Sequence, residues 1–254
     1  MLDRLELGDA QLDSPLGRTS PIVKLAVAVG WLIGLALTLA WAPPLVLTVA
    51  AIAAGVSLGS VRVEALVKSI APLWVAALGI GLFNALYSTS NGDPSAATWV
   101  AVGPFRITVL AAANGFALAL RVIAIASVGA VFTLTTDPTR LADSLVRQAH
   151  VSPRFAYGAL AAYQAIPRFA EDLSTLRQAR RIRGLRGSWH PRLLVALLVL
   201  AIRHGDRMAL AMDARAFGAG PMTHYRDLRW SWLDATVGLG ALAVLVATLL
   251  VSGR

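Results

Sequence analysis

The chain has no cysteine. That excludes a disulfide framework, a thiolate zinc site, iron–sulfur ligation and a cysteine nucleophile. Lysine is almost as scarce: Lys24 and Lys68 are the whole supply, and the other 21 of the 23 basic residues are arginine. No glycine is followed by lysine, so a G-x-x-x-x-G-K-[ST] phosphate loop is absent and the chain is not its own P-loop ATPase. No D-D-x-x-D cluster is present, which argues against a Mg²⁺-dependent prenyl or phosphatidyl transferase. The adjacent acids Glu171 and Asp172 read as water-facing or paired with Arg168 or Arg177. The four histidines, at 150, 190, 204 and 224, have neither i, i+4 nor H-E-x-x-H spacing, so no metal site is expected from them. Residues 1–20 contain acids and no apolar core, unlike a cleavable signal peptide.

Charge is also scarce. Only 15% of the residues are charged and 57% are hydrophobic, against about a quarter charged in an ordinary soluble domain. Mean hydropathy is +0.66. The apolar residues are gathered into runs approaching the roughly 20 residues that cross a hydrocarbon core. They cover about 22–41, 45–58, 67–87, 107–134 and 232–251. Pro43 and Pro44 separate the first two. A polar segment rich in Gly, Pro and Ser, 88–104, separates the third and fourth and reads as a loop. Gly30 and Gly34 give the first run a small-xxx-small pattern suited to close packing within the chain. These features predict an all-α, polytopic membrane protein with about five transmembrane helices.

The net charge of +9 has a direction. Fifteen of the 23 basic residues lie in 135–230, and the segments around 43 and 88–104 have none. With five spans, the basic regions fall on one side. The positive-inside rule then puts the N-terminus and 135–230 in the cytoplasm and the C-terminus outside. The expected organisation is helices 1–4 in 1–134, a cytoplasmic region in 135–230, and a last span in 231–254. The positive charge reads as membrane topology in preference to nucleic-acid binding.

Within 135–230 the punctuation is helical. Asp137-Pro138 and Ser152-Pro153 read as N-caps followed by proline at N1. Phe155, Ala159, Tyr163, Ile166, Ala170, Leu173 and Leu176 form an amphipathic seam, which Pro167 should kink. Pro191 opens a third helix running to Ala216, with Gly218 as its C′ residue. Its apolar stretch, 193–202, is too short to span and should lie against other helices or in the membrane interface.

Two short motifs stand near the ends of these helices: Gln178-Ala179-Arg180-Arg181 and Asp213-Ala214-Arg215-Ala216. Arginine in a last helical turn is favoured by the macrodipole, and its planar fork can hold a carboxylate bidentately. Small neighbours let such an end approach a groove closely. The same arginines read equally as a patch for anionic lipid, centred on 177–186. Arg121 lies in the middle of an apolar run. It either contacts a partner or a carboxylate in the bundle, or snorkels to water from a helix break.

The chain resembles the transmembrane T component of energy-coupling factor (ECF) transporters, in the CbiQ-like branch, over nearly its whole length. The residues that carry the likeness are Ser14-Pro15-Leu16 and Pro21-Ile22-Val23-Lys24, 137–142 and 165–171, and the two arginine motifs. The resemblance implies a non-catalytic coupling subunit of an ECF-type ABC importer in the bacterial plasma membrane. It would join two ABC-type ATPase subunits to a substrate-binding S component that takes up a vitamin or a transition-metal ion. It implies no cofactor, three coupling helices with the second and third crossing, and docking residues Ala179, Arg180, Arg181, Ala214, Arg215 and Ala216. The chain departs from the family pattern at Arg181 and Ala216, where glycine is usual, and at Gly17 and Ser20, where histidine and aspartate are. The alternatives are the permease subunit of another ABC importer, or a membrane protein with a basic lipid-binding cytoplasmic domain.

Overall fold

The computed structural model describes residues 11, 13–38, 40–92, 96–102, 105–185, 187, 189–218, 220 and 230–252. It is helical throughout except for one small hairpin, and it divides into two compact units. One contains the described residues up to 137 together with those from 230 onward; the other contains those from 138 to 220.

The first unit begins with a single turn, α1 (Pro15–Arg18), whose N-cap Ser14 accepts the amide of Gly17 at 2.9 Å. Helices α2 (Pro21–Leu37) and α3 (Ala42–Ser57) follow. Prolines 43 and 44 do not interrupt a helix. They sit in the first turn of α3, where an amide without an intrahelical partner is no loss. Next come α4 (Val63–Tyr87), a 3₁₀ turn (Thr89–Gly92), strands β1 (Thr98–Val102) and β2 (Phe105–Thr108), α5 (Val109–Thr135) and, at the far end of the sequence, α9 (Trp232–Ser252).

Segment 88–104 is therefore not simply a loop. Strands β1 and β2 pair antiparallel, Val100 opposite Ile107, and α5 starts at Val109, two residues later than the apolar run suggests. Asn91 fastens this structure to the helices. Its amide Nδ2 donates to the carbonyls of Ala85 and Leu86 at the end of α4, at 2.7 and 3.1 Å. Its Oδ1 accepts the amide of Thr108, the N-cap of α5, at 2.9 Å.

Helix α5 is the axis of the unit. Its Ala124 and Val128 pack with Trp31, Leu35, Leu47 and Ala51 from α2 and α3, while Ala126 and Ala130 pack with Leu66 and Ile70 of α4. Where α4 and α5 meet, Gly81 and Gly115 bring the backbones together. A Cβ on either would lie 2.8 or 2.5 Å from the other's carbonyl oxygen. Of the predicted Gly30/Gly34 pair, Gly34 is covered by Leu245 of α9 and Gly30 faces open space.

Hydrogen bonds gather alternate helix ends on one side of this unit. Leu16 N donates to Leu58 O past the end of α3 (2.9 Å), and Lys24 Nζ donates to Thr135 O at the end of α5 (2.6 Å). Ser20 N, before α2, donates to Asp234 Oδ1 in the first turn of α9 (2.6 Å). Asp234 also reaches back to the residue before α9, where the Ser231 amide donates to its Oδ2 at 2.9 Å, one half of a capping box. One buried carboxylate thus serves the starts of two helices. Among the described residues three helices are long and apolar enough to cross a membrane, those beginning at Val63, Val109 and Trp232. Helices α2 and α3, at 17 and 16 residues, fall short of the usual span.

Candidate docking site

The second unit consists of α6 (Pro138–Arg147), α7 (Pro153–Ile182) and α8 (Pro191–Ala214). Each opens on proline at its first position, as the sequence indicates. Helix α7 continues unbroken through Pro167 for 30 residues. Helix α8 runs back along it. Phe169 meets His204 edge-on at 6.0 Å between ring centroids, and Tyr157 meets Phe217 in the same way at 6.1 Å. The earlier residue of α7 meets the later partner, as in an antiparallel pair.

The two helices end alike. After α7, Leu185 N donates to Arg180 O (3.2 Å) and Gly184 N to Arg181 O (3.0 Å). After α8, Phe217 N donates to Met212 O (3.0 Å) and Ala216 N to Asp213 O (2.9 Å). Each pair of bonds is a Schellman cap, with Gly184 (φ 70°) and Ala216 (φ 55°) as the left-handed C′ residues. Ala216 therefore does the job expected of Gly218, and α8 stops at Ala214. The C-cap residues are Arg183 and Arg215, both exposed.

This geometry distributes the predicted site residues unevenly. Ala214, Arg215 and Ala216 occupy the last helical position, the C-cap and C′. Ala179, Arg180 and Arg181 lie inside α7, three residues earlier relative to its end. The Arg180 carbonyl accepts a cap bond, and its half-buried side chain has a buried Nε without a partner among the described residues. The residues that match Ala214-Arg215-Ala216 in position are Ile182-Arg183-Gly184. Arg183 was not among the predicted site residues, although the Arg-Gly pair at 183–184 signals a capped helix end. The replacement of glycine by Arg181 costs the turn nothing, because Gly184 makes it.

A chain of contacts braces the Arg215 end. The Tyr157 hydroxyl donates to Asp143 Oδ1 of α6 at 2.8 Å, and the Tyr157 ring carries Phe217, the residue after the cap. Burial, then the hydrogen bond and negative charge of Asp143, push the Tyr157 hydroxyl up to about 12. Arg154 lies against Gly218, where a Cβ would come within 2.8 Å of its Nε. The Arg215 end thus lies beside the start of α7 and the Arg183 end at its finish. The stretch 157–183 measures about 39 Å at 1.5 Å per residue.

Much of the apolar seam expected on α7 is exposed. Phe155, Tyr163 and Ile166 are exposed, while Ala156 and Ala165 are buried. The short apolar stretch of α8 is similar: Leu193 is buried, but Leu194, Val195, Leu198, Val199 and Ile202 are exposed. Both helices carry more apolar surface than their mutual packing uses. Arg121, in the middle of α5, has a buried Nε without a partner among the described residues. No cluster of three metal-ligating side chains occurs among the described residues. His190 caps α8, its Nδ1 accepting the Arg192 amide at 3.1 Å, and His204 meets Phe169 edge-on; His224 lies outside the described residues.

The pattern of the cobalt transport protein family, CbiQ, matches residues 13–225. An energy-coupling factor transporter transmembrane protein of Heliobacterium modesticaldum is 29% identical, over 97% of this chain and 97% of its own length. The protein of the same name from Listeria innocua is 30% identical, over 70% of this chain and 72% of its own. A putative ABC transporter ATP-binding protein of Bifidobacterium longum is 30% identical over 72% of this chain, a match that takes up 24% of its own length.

Proposed function

We infer the role of this chain from the premise that it belongs to the cobalt transport protein (CbiQ) family: it is the transmembrane component of an energy-coupling factor transporter. We propose further that it is the coupling scaffold, without chemistry of its own. It seats two ABC-type ATPases on the ends of α7 and α8 and passes their movement to a substrate-binding S component in the bacterial plasma membrane. The unit of α6 to α8 is on the cytoplasmic side with the N-terminus, the chain crosses the bilayer about five times, and the cargo is a vitamin or a transition-metal ion.

One observation carries this reading. Two helix ends finish in the same cap, each with an exposed arginine at the C-cap, at opposite ends of one antiparallel pair. A spacing of about 39 Å is too wide for both to enter one groove of a single small domain and suits two separate subunits. At each end the cap bonds are made by backbone amides, which leaves the guanidinium available to a partner's carboxylate. The exposed apolar faces of α7 and α8 supply a surface for a membrane partner. The Bifidobacterium relative supports the association with ATPases, because it is named as a putative ABC transporter ATP-binding protein and is much longer than the matched part.

The test is affinity purification of the complex from mild detergent, with charge reversal at each tip. Arg183→Glu and Arg215→Glu should each reduce the ATPase recovered by about half, and together should abolish both recovery and substrate uptake. Full uptake by the double variant would overturn the reading. Arg180→Glu is an internal comparison: a weaker effect than Arg183→Glu assigns the contact to the C-cap arginine.

A further inference from the structure

The two tips share a backbone and differ in charge. The α7 tip carries Arg177, Arg180, Arg181 and Arg183, the first turn of α8 adds Arg192, and there is no acid anywhere between 173 and 205. Arg181, Arg183 and Arg192 are exposed. Arg181 and Arg183 flank an almost fully exposed Ile182. Residues 177 to 183 cover about 9 Å of helix, close to one Debye length at physiological salt, so a facing surface experiences the cations together. The α8 tip has most of its charge offset. Asp213 lies two residues before Arg215, Asp143 reaches the same end through Tyr157, and Arg154 and Arg147 are the other cations nearby. Three cations face two anions there, and the surface is made of small residues: Ala211, Ala214 and Ala216 are all exposed.

We propose that the two joints recognise their ATPases by different physics. The α7 tip fits a groove whose rim is rich in carboxylates. The α8 tip fits a near-neutral groove by close approach, with Arg215 as its single ionic anchor. This rests on the reading of both tips as ATPase joints. Electrostatic complementarity of this kind governs the rate and salt dependence of association, whereas a close-packed joint around one buried ion pair is screened little. The two joints therefore loosen at different ionic strengths. An anionic bilayer surface also attracts arginine clusters, but it requires no helix cap, and the α7 cluster is built around the same cap as the α8 tip.

The experiment uses the complex purified with its ATPases, nucleotide-free, in mild detergent and immobilised through this chain. Arg215→Glu leaves the α7 joint alone, and Arg183→Glu leaves the α8 joint alone. The ATPase retained by the Arg215→Glu complex should fall about tenfold between roughly 0.1 and 0.5 M sodium chloride, and adding Arg181→Ala should flatten that dependence. Retention by the Arg183→Glu complex should change less than about twofold over the same range. Equal salt dependence of the two single-joint complexes overturns the proposal and leaves the two joints standing. If the unmodified chain retains no ATPase, the joints themselves are refuted and the proposal falls with them. The proposal also fails if Arg215→Glu retention ignores salt while binding of the same protein to phosphatidylglycerol vesicles depends on Arg181. The cluster would then belong to the bilayer.

Discussion

Gly184 and Ala216 occupy the same place in two helix caps, one residue past the C-cap, with φ of 70° and 55°. Only one of them is glycine. The left-handed conformation costs an L-residue with a Cβ about 1–2 kcal/mol, so the α8 cap holds strain that the α7 cap does not. Ala216→Gly should stabilise the protein by about 0.5–1 kcal/mol, after subtracting the extra freedom glycine gives the unfolded chain. Gly184→Ala should destabilise it by a similar amount. Thermal unfolding in detergent measures both, and matching signs for the two changes would contradict the cap assignment.

Tyr157 links α6 to the far end of α8, so removing its hydroxyl should loosen that brace without emptying space. Tyr157→Phe should cost about 1 kcal/mol, the usual net value of one hydrogen bond, and should raise hydrogen exchange at 214–218 more than at 183–185. The pH dependence has a definite sign. The hydroxyl is pushed from 10.0 up to about 12, so the folded protein favours the neutral phenol. The stability it contributes is complete below pH 10 and disappears as pH rises through about 12. A tyrosinate absorbance titration should show one late-titrating tyrosine that Tyr157→Phe removes.

Asp234 accepts the amides of Ser20 and Ser231 and is 4% exposed. Asp234→Ala should strand both donors and cost about 2–4 kcal/mol, the penalty of two buried unsatisfied amides. Asp234→Asn keeps an acceptor oxygen and should cost about half of that. Chemical denaturation in detergent checks the order. Equal losses for the two variants would mean that charge, and not the hydrogen bonds, fastens α2 to α9.

The membrane class and its helices were legible because apolar length is a one-dimensional property: α4, α5 and α9 are visible as long apolar runs with few charges. The arginine motifs were legible as composition, but their places relative to the helix caps were not. Ala179-Arg180-Arg181 matches Ala214-Arg215-Ala216 in letters, whereas Ile182-Arg183-Gly184 matches it in hydrogen bonds, and only the cap geometry separates the two. The hairpin was hidden in a segment whose Gly, Ser and Pro content suggests a loop, although β-branched and aromatic residues at 98–102 and 105–108 flank Gly103-Pro104 in the manner of a turn. The α7 seam shows a different limit. Periodicity identified an apolar stripe, Phe155 to Leu176, but could not say what faces it: its first part is exposed, Leu173 and Leu176 are half-buried, and Ala156 and Ala165, off the stripe, are buried.

The closest approach of α4 and α5 gives the sharpest test of the membrane unit. At Gly115 an added Cβ would lie 2.5 Å from the carbonyl oxygen of Gly81, a backbone atom that cannot swing aside. The same addition at Gly129, on the same helix, meets nothing within 4 Å. Gly115→Ala should therefore force the helices apart and destabilise the protein by about 1–3 kcal/mol, as overpacking does. Gly129→Ala should be neutral or stabilising by up to about 1 kcal/mol, because alanine is the better helix former. Gly81→Ala should behave like Gly115→Ala, and the double variant should cost less than the sum, since helices already separated by one methyl make room for the other. Melting temperatures of the four proteins in one detergent decide the matter. A loss at Gly129 equal to that at Gly115 would show that backbone flexibility, and not close contact, is what the glycines provide.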